Sequence, residues 1–359
     1  MHAPVRPDRL ILLQPLRLGA QFTRGPRRVA EGSVLRRLAA TLQQPADLAL
    51  GVLHTLHEQL GLEPLQILPR EFDTGTNLKR SSIAELDDYM HVVRVDDVDA
   101  AAPWLRSVVE AQISWLTLLS KANSEAVDLE RVAVGFRAMH HLTARAMGEQ
   151  VEWVEPHASL RNERRAEFET QELLAIWRKG HWIFFVLTQA LIIAFGRLVF
   201  ALRSGDEQSA KIELLAATDL FWASGASMKL TGAFTNEQYH SDVRPTMTLG
   251  ADKALVKTTS LSGAMTWDHH YLVNRVWREE LMPLLSSLPR SLENCYPEFL
   301  RAYREGLSTG HRAVCAKFGG ESMGSLVAPN HIATDLLDNI ETTRLAQLNP
   351  KRQSKPAPR

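Results

Sequence analysis

Trp182-Ile183-Phe184-Phe185-Val186-Leu187, followed after Thr188-Gln189-Ala190 by Leu191-Ile192-Ile193-Ala194-Phe195, is the stretch on which the fold turns. It lies in the most apolar part of the chain, Glu167 to Leu202. A membrane span needs about 20 residues nearly free of polar groups. Here Thr188, Gln189 and Arg197 interrupt the run, and Arg178-Lys179 stand close in front of it. A helix that is apolar on every side but punctuated in this way belongs at the centre of a large helical protein. The tract therefore predicts an all-α domain built around a buried central helix.

Outward from this tract the helical period recurs. Leu35, Leu38 and Leu42, then Leu48, Val52, Leu56 and Leu60, flank a break at Pro45-Ala46-Asp47 and predict two helices between Ser33 and Leu62. Ser82-Ile83-Ala84-Glu85 has the capping-box pattern and opens a short helix through Tyr89 and His91. Trp104 to Leu119 and Leu129 to Met147 read as core helices, and Glu207 to Lys229 as another after the Gly205-Asp206 break. Thr266 starts a helix to Leu285 whose stripe is Val273, Val276, Trp277, Leu281 and Leu284; Pro297 opens the next, and Ile332 to Leu348 is the last. Residues 1–30, rich in Arg and Pro, read as an irregular arm, 31–350 as one helical domain, and the basic stretch 351–359 as a disordered tail. Gly232 to Gly263 loses the period and reads as a loop laid over the helices, where binding groups are often carried.

Lys plus Arg and Asp plus Glu are each 41, so no net charge draws the chain to nucleic acid or to an anionic membrane. Two cysteines, Cys295 and Cys315, do not make a disulfide scaffold and suit a reducing compartment. Leu10-Ile11-Leu12-Leu13 is interrupted by Pro15 and Arg17 with no cleavage site after it, so the expected location is cytoplasmic. A homo-oligomer is compatible with the sequence but not read from it.

Chemistry is concentrated late in the chain, in Gly310-His311-Arg312-Ala313-Val314-Cys315-Ala316-Lys317-Phe318-Gly319-Gly320. On a helix, His311 and Cys315 lie one turn apart, about 6 Å along the axis. An imidazole on a haem iron would leave that thiol near a peripheral vinyl group, where it could form a thioether. Gly306 and Gly310 weaken the helix and point to close backbone approach or a kink near a planar ligand. A Gly/Ser loop follows, Gly319-Gly320-Glu321-Ser322-Met323-Gly324-Ser325.

The other histidines are less specific. His54 and His57 on one helix read as solvated, and adjacent His140-His141 point about 100° apart and cannot chelate together. His269 and His270 flank the apolar stripe of their helix from either side, His270 being slightly better aimed, so one of them can enter the interior.

A ligand histidine on a helix before a Gly/Ser loop resembles the tryptophan 2,3-dioxygenase superfamily. The HxxxC pattern with a second His about forty residues earlier resembles its branch of histidine-ligated c-type haem peroxygenases, the 3-methyl-L-tyrosine hydroxylases of saframycin-type pathways. That resemblance implies a dioxygenase-like all-α fold with a buried haem pocket. It implies His311 as proximal iron ligand, Cys315 as a single thioether anchor, and His270 or His269 meeting the haem from the other side, with the early His91 as a further distal candidate. Arg244 would contact a haem propionate, and Ser322, Ser325 and His240 the carboxylate and ammonium of an aromatic amino acid.

The implied reaction is hydroxylation of a phenol ring by hydrogen peroxide, 3-methyl-L-tyrosine giving 3-hydroxy-5-methyl-L-tyrosine in tetrahydroisoquinoline antibiotic biosynthesis. The alternatives are L-tyrosine 3-hydroxylation, an indole dioxygenase, or a non-catalytic bis-His haem sensor or carrier.

Overall fold

A helix of 35 residues, α7 (Thr170–Ser204), runs through the middle of the molecule. Side chains from Trp182 through Phe195 are all buried, Gln189 and Thr188 included. By length and composition the segment Leu173–Ser204 is able to cross a membrane, yet 83% of its most apolar window is buried by the protein itself. Arg197, within this segment, finds its counter-charge inside the protein: its Nε donates to Glu213 Oε1 at 2.8 Å, and Arg145 Nη2 donates to Glu213 Oε2 at 2.9 Å. A buried carboxylate held by two guanidiniums is a device of a protein interior, since removing one member would strand the others.

The structure, a computed structural model, describes residues 9–22, 32–60, 67–68, 80–96, 99–119, 125–161, 170–247, 266–285, 287–319 and 333–348. α2 (Gly32–Ala40) and α3 (Ala46–Gln59) are the two helices expected on either side of Pro45. α4 (Arg80–Tyr89) starts two residues before the capping-box serine, α5 (Ala101–Leu119) and α6 (Ala126–Met147) are core helices, and α8 (Glu207–Thr231) is capped by Asp206, whose side chain accepts from Ser209 N at 3.0 Å. Gly205 before it takes the left-handed backbone, φ 72°, that ends α7. α6 and α7 both pack on α8 through small residues: a Cβ on Gly135 would lie 2.2 Å from that of Ala223, and one on Gly180 2.6 Å from Thr231 Oγ1.

Within the expected irregular arm, the described residues 9–22 are regular. Leu10–Leu13 forms strand β1, paired in parallel with β2 (Val92–Val95) in the register Leu10 to Val92 through Leu13 to Val95, and α1 (Pro15–Phe22) packs on α7. Four consecutive buried apolar residues have no alternation to reveal a strand. The proposed 351–359 tail lies outside the described residues.

The late helices hold a second departure. α10 (Trp267–His270) passes into a π-helical segment, Tyr271–Leu281, before α11 (Met282–Leu285); α12 (Tyr296–Arg301) passes into another, Ala302–Ser308, before α13 (Thr309–Gly319). A third, Tyr239–Val243, follows the short α9 (Asn236–Gln238). π-turns are costly and gather at functional sites. α14 (Ala333–Leu348) closes the described chain.

Candidate functional site

Two of these π segments enclose one cavity. Leu272, Val273 and Trp277 line it from the segment after α10, and Tyr303, Leu307 and Ser308 from the segment before α13. Phe184, Thr188 and Leu191 of α7 and Phe221, Ser224 and Met228 of α8 complete the wall with Leu337. His269 and His311 both stand on it. The space between these walls, including open solvent at the mouth, is about 910 Å³, and its lining is mostly apolar.

α13 reaches this position because its backbone lies almost on that of α8. A Cβ on Gly225 would come 1.9 Å from Gly306 O, and one on Gly310 2.8 Å from Gly225 O. Of the two readings of these glycines, the structure shows the close backbone approach. The far end of α13 is clamped: Phe318 lies between Phe234, 5.2 Å away and 19° from parallel, and Tyr239, 4.3 Å away and 16° from parallel. His240 Nε2 donates to Phe318 O at 2.9 Å, and Lys317 Nζ to Gly232 O at 2.7 Å.

The expected site residues fall in different places. His311 is half-buried on the cavity wall, and Cys315, one turn on, is a free, half-buried thiol whose pKa burial pushes up to about 11. His269 lines the cavity, while His270, the one favoured by its angle to the stripe, is not among the wall residues; the two rings are 6.5 Å apart. His91 sits in the turn before β2 with a left-handed backbone, φ 56°, its carbonyl accepting from Leu10 N at 3.0 Å, and is absent from the cavity wall. His240 is engaged with the end of α13, and Arg244 lies beside the Tyr239 hydroxyl in the same clamp, so neither lines the cavity. Ser322 and Ser325 lie outside the described residues.

Three further histidines have structural partners: His57 pairs with Glu110 at 3.1 Å, His140 with Gln112 at 3.1 Å, and His141 packs on Trp153.

One residue escaped the sequence reading. His181 is buried on α7 one turn before Phe184, its Nδ1 donating to Trp177 O at 2.7 Å, and it is near enough to feel the charge of His311. Burial lowers its pKa to about 4, so the ring is neutral at pH 7 with Nε2 as the unprotonated nitrogen. Its place inside the most apolar tract was the only signal, and a histidine there passes for core.

Among the described residues no three His, Cys, Asp or Glu side chains converge as a protein-only metal site. The donor set suits haem: imidazoles on an aromatic-walled slot, and a thiol one turn beyond one of them.

Fold and cavity define a mostly helical protein with a histidine-lined, mostly apolar slot. The chain belongs to the SfmD 3-methyl-L-tyrosine peroxygenase family, whose model matches residues 12–294. It is 28% identical over 159 residues to the 3-methyl-L-tyrosine peroxygenase of Streptomyces lavendulae, a match covering 44% of this chain and 41% of that relative's length. The crystal structure of reduced SfmD, soaked with sodium hydrosulfite, superposes with a TM-score of 0.61 at 19% identity, covering 86% of this chain and 98% of that one, and so shares the fold. His311 and Cys315 lie beyond the residues matched by the family model.

Proposed function

We propose that this chain is a haem-dependent peroxygenase that hydroxylates the phenol ring of an L-tyrosine derivative, 3-methyl-L-tyrosine being converted to 3-hydroxy-5-methyl-L-tyrosine with hydrogen peroxide as oxygen donor, in the cytoplasm. The observation that carries this reading is the convergence of His269 and His311 on one apolar cavity in a member of this family.

When bound, the haem supplies the oxygen-transfer chemistry; everything else falls to the chain. His311 would hold the iron, and Cys315, one turn on, would anchor the haem through a thioether; in the haem-free protein burial keeps that thiol protonated at neutral pH. His269, on the cavity wall, would be the second ligand of the resting iron and, once off it, the group that takes a proton from peroxide and returns it. Phe184, Phe221 and Trp277 exclude water and offer faces to an aromatic ring. The hydroxyls of Thr188 and Ser224 are on the same wall but donate to their own helix, to Phe184 O at 2.9 Å and Leu220 O at 2.7 Å. Their remaining lone pairs can accept from a ligand.

A second reading draws on the same pair of histidines: a bis-His haem carrier without turnover. One experiment separates them. The purified protein and its Cys315→Ala variant are compared by visible spectrum and denaturing intact mass, then given peroxide with tyrosine and with 3-methyltyrosine. A Soret band, one added haem mass lost in the variant, and a catechol product support the peroxygenase. Haem without product favours the carrier, and a protein that stays colourless when supplied with haem removes both.

A further inference from the structure

A buried cluster of charge lies directly behind the cavity wall. Asp268, the residue before His269, is wholly buried; Arg94 Nη1 is 2.6 Å from its Oδ2, and Gln189 Nε2 donates to its Oδ1 at 2.7 Å. The same Gln189 Nε2 donates to Leu13 O at 2.8 Å, and Gln189 follows the wall residue Thr188. Arg94 gives its other nitrogens to Asp87, Nε to Oδ2 at 3.0 Å and Nη2 to Oδ1 at 3.1 Å. The Trp267 ring lies 5.8 Å from the Arg94 guanidinium. β2 and α7 thus meet at one carboxylate of α10, with α4 joined to it through Arg94 and β1 through Gln189.

Stability does not account for such an arrangement. Taking two carboxylates and a guanidinium out of water is expensive, and well-packed apolar side chains close a core at least as firmly. What the arrangement adds is direction: a forked, charge-assisted pair of hydrogen bonds fixes the Arg94 guanidinium on Asp87, and Asp268 is then held by that guanidinium's ion pair and by the Gln189 hydrogen bond. Direction is wanted here because α10 gives way to a π segment at Tyr271, two residues after His269, where side-chain register departs from that of an ordinary helix. Thr266 Oγ1 receives His269 N at 3.3 Å, fixing the main chain of that turn, and Asp268 fixes its rotation against α7 and β2.

We infer that Arg94, Asp87 and Gln189 are positioning residues that act through Asp268 to hold His269 on the cavity wall, facing the haem. This rests on the proposed function, in which His269 would meet the haem that His311 holds. Groups that hydrogen-bond the ring of a metal-ligating histidine commonly matter ten- to a hundredfold for its grip on the metal; Asp268 would act on the same orientation through the main chain of its own turn.

The test uses the full chain loaded with haem and reads the ferric absorption and electron paramagnetic resonance spectra, not turnover. In the wild type, a low-spin component that His269→Ala abolishes marks His269 on the iron. Asp268→Asn, Arg94→Lys and Gln189→Met are each expected to lower the ratio of His269-bound to unbound haem tenfold or more, with haem content and far-ultraviolet circular dichroism unchanged and added imidazole restoring the low-spin signal. Gln189→Met removes no charge, so it carries the test if the charged variants do not fold.

Glu213→Gln, which disturbs a buried ion cluster elsewhere, is expected to lower thermal stability and leave the spectrum alone. Folded variants that keep the wild-type ratio overturn the inference, as does a Glu213→Gln protein that loses it equally. A His269→Ala protein with an unchanged spectrum removes His269 from the haem and this inference with it, while haem binding through His311 stands.

Discussion

Placing a methyl group on Gly225 tests the contact on which the cavity depends. Its Cβ would sit 1.9 Å from Gly306 O, 2.4 Å from Gly306 C and 3.1 Å from Leu307 N, all main-chain atoms that no rotamer change can withdraw. The π segment must move away from α8 by more than an ångström, and Leu307, Ser308 and His311 move with it. Overpacking costs roughly 1–3 kcal/mol where side chains can yield, and a backbone contact belongs at the upper end of that range. Against this, alanine regains up to about 1 kcal/mol over glycine in a helix interior.

Gly225→Ala is therefore expected to lose about 2 kcal/mol. Gly51→Ala is the matched control: it lies in the middle of α3 with nothing within 4 Å of its added Cβ, and is expected to gain roughly 0.5–1 kcal/mol. Urea unfolding of both variants followed by circular dichroism gives the two signs, and haem titration gives the consequence at the site, weaker binding in Gly225→Ala alone. A Gly225→Ala protein as stable as wild type, or one that gains like Gly51→Ala, would refute the claim that α8 and the π segment touch through bare backbone.

Two further outcomes follow from buried titrating groups. Burial drives the Cys315 pKa to about 11 from an ordinary 9, so in the haem-free folded protein its alkylation by iodoacetamide at pH 8 is expected to run roughly a hundredfold slower than after unfolding; a rate equal to that of the unfolded chain would place the thiol in solvent. His140, 1% exposed, has its pKa lowered to about 3, chiefly by desolvation. Protons then bind the unfolded chain first, so stability is complete above about pH 6.5 and declines as pH falls from there towards 3. Between pH 6.5 and 5, above the ordinary carboxylate range, the loss from this one residue is on the order of 1.5 kcal/mol, and His140→Gln should flatten that part of the urea-midpoint profile. An unchanged profile would count against a neutral buried imidazole.

The sequence displayed the helices because their information is periodic. Trp182 to Phe195 declared a buried centre by being apolar on all sides, and Arg197 declared it soluble in the core only once Glu213 could be seen beside it. Leu10–Leu13 carried no comparable sign, since a four-residue buried run serves a strand or a helix equally and its partner lies 82 positions along the chain.

The site was half legible for a related reason. His311 and Cys315 are neighbours on one helix, so spacing alone places them together. Choosing between His269 and His270 required the rotation of α10, which is set by Asp268, Arg94 and Gln189 from distant parts of the chain, and by a π segment that leaves no mark in composition. Arg244 and His240 looked like anion ligands because loops with such residues often are. In the fold they brace Tyr239 and the end of α13.

The β1 strand also has a history that the folded molecule conceals. Leu13 O receives its hydrogen bond from Gln189, a separation of 176 residues. At about 5–20 residues per second of synthesis, four adjacent apolar side chains wait on the order of ten to thirty-five seconds outside the ribosome before that donor exists. Even β2 arrives well before α7 can cover the pair. During that interval the growing chain exposes an unpaired hydrophobic edge of the kind that recruits other chains. The yield of active protein should therefore depend on chaperone supply and growth temperature more steeply than the stability of the finished fold would suggest.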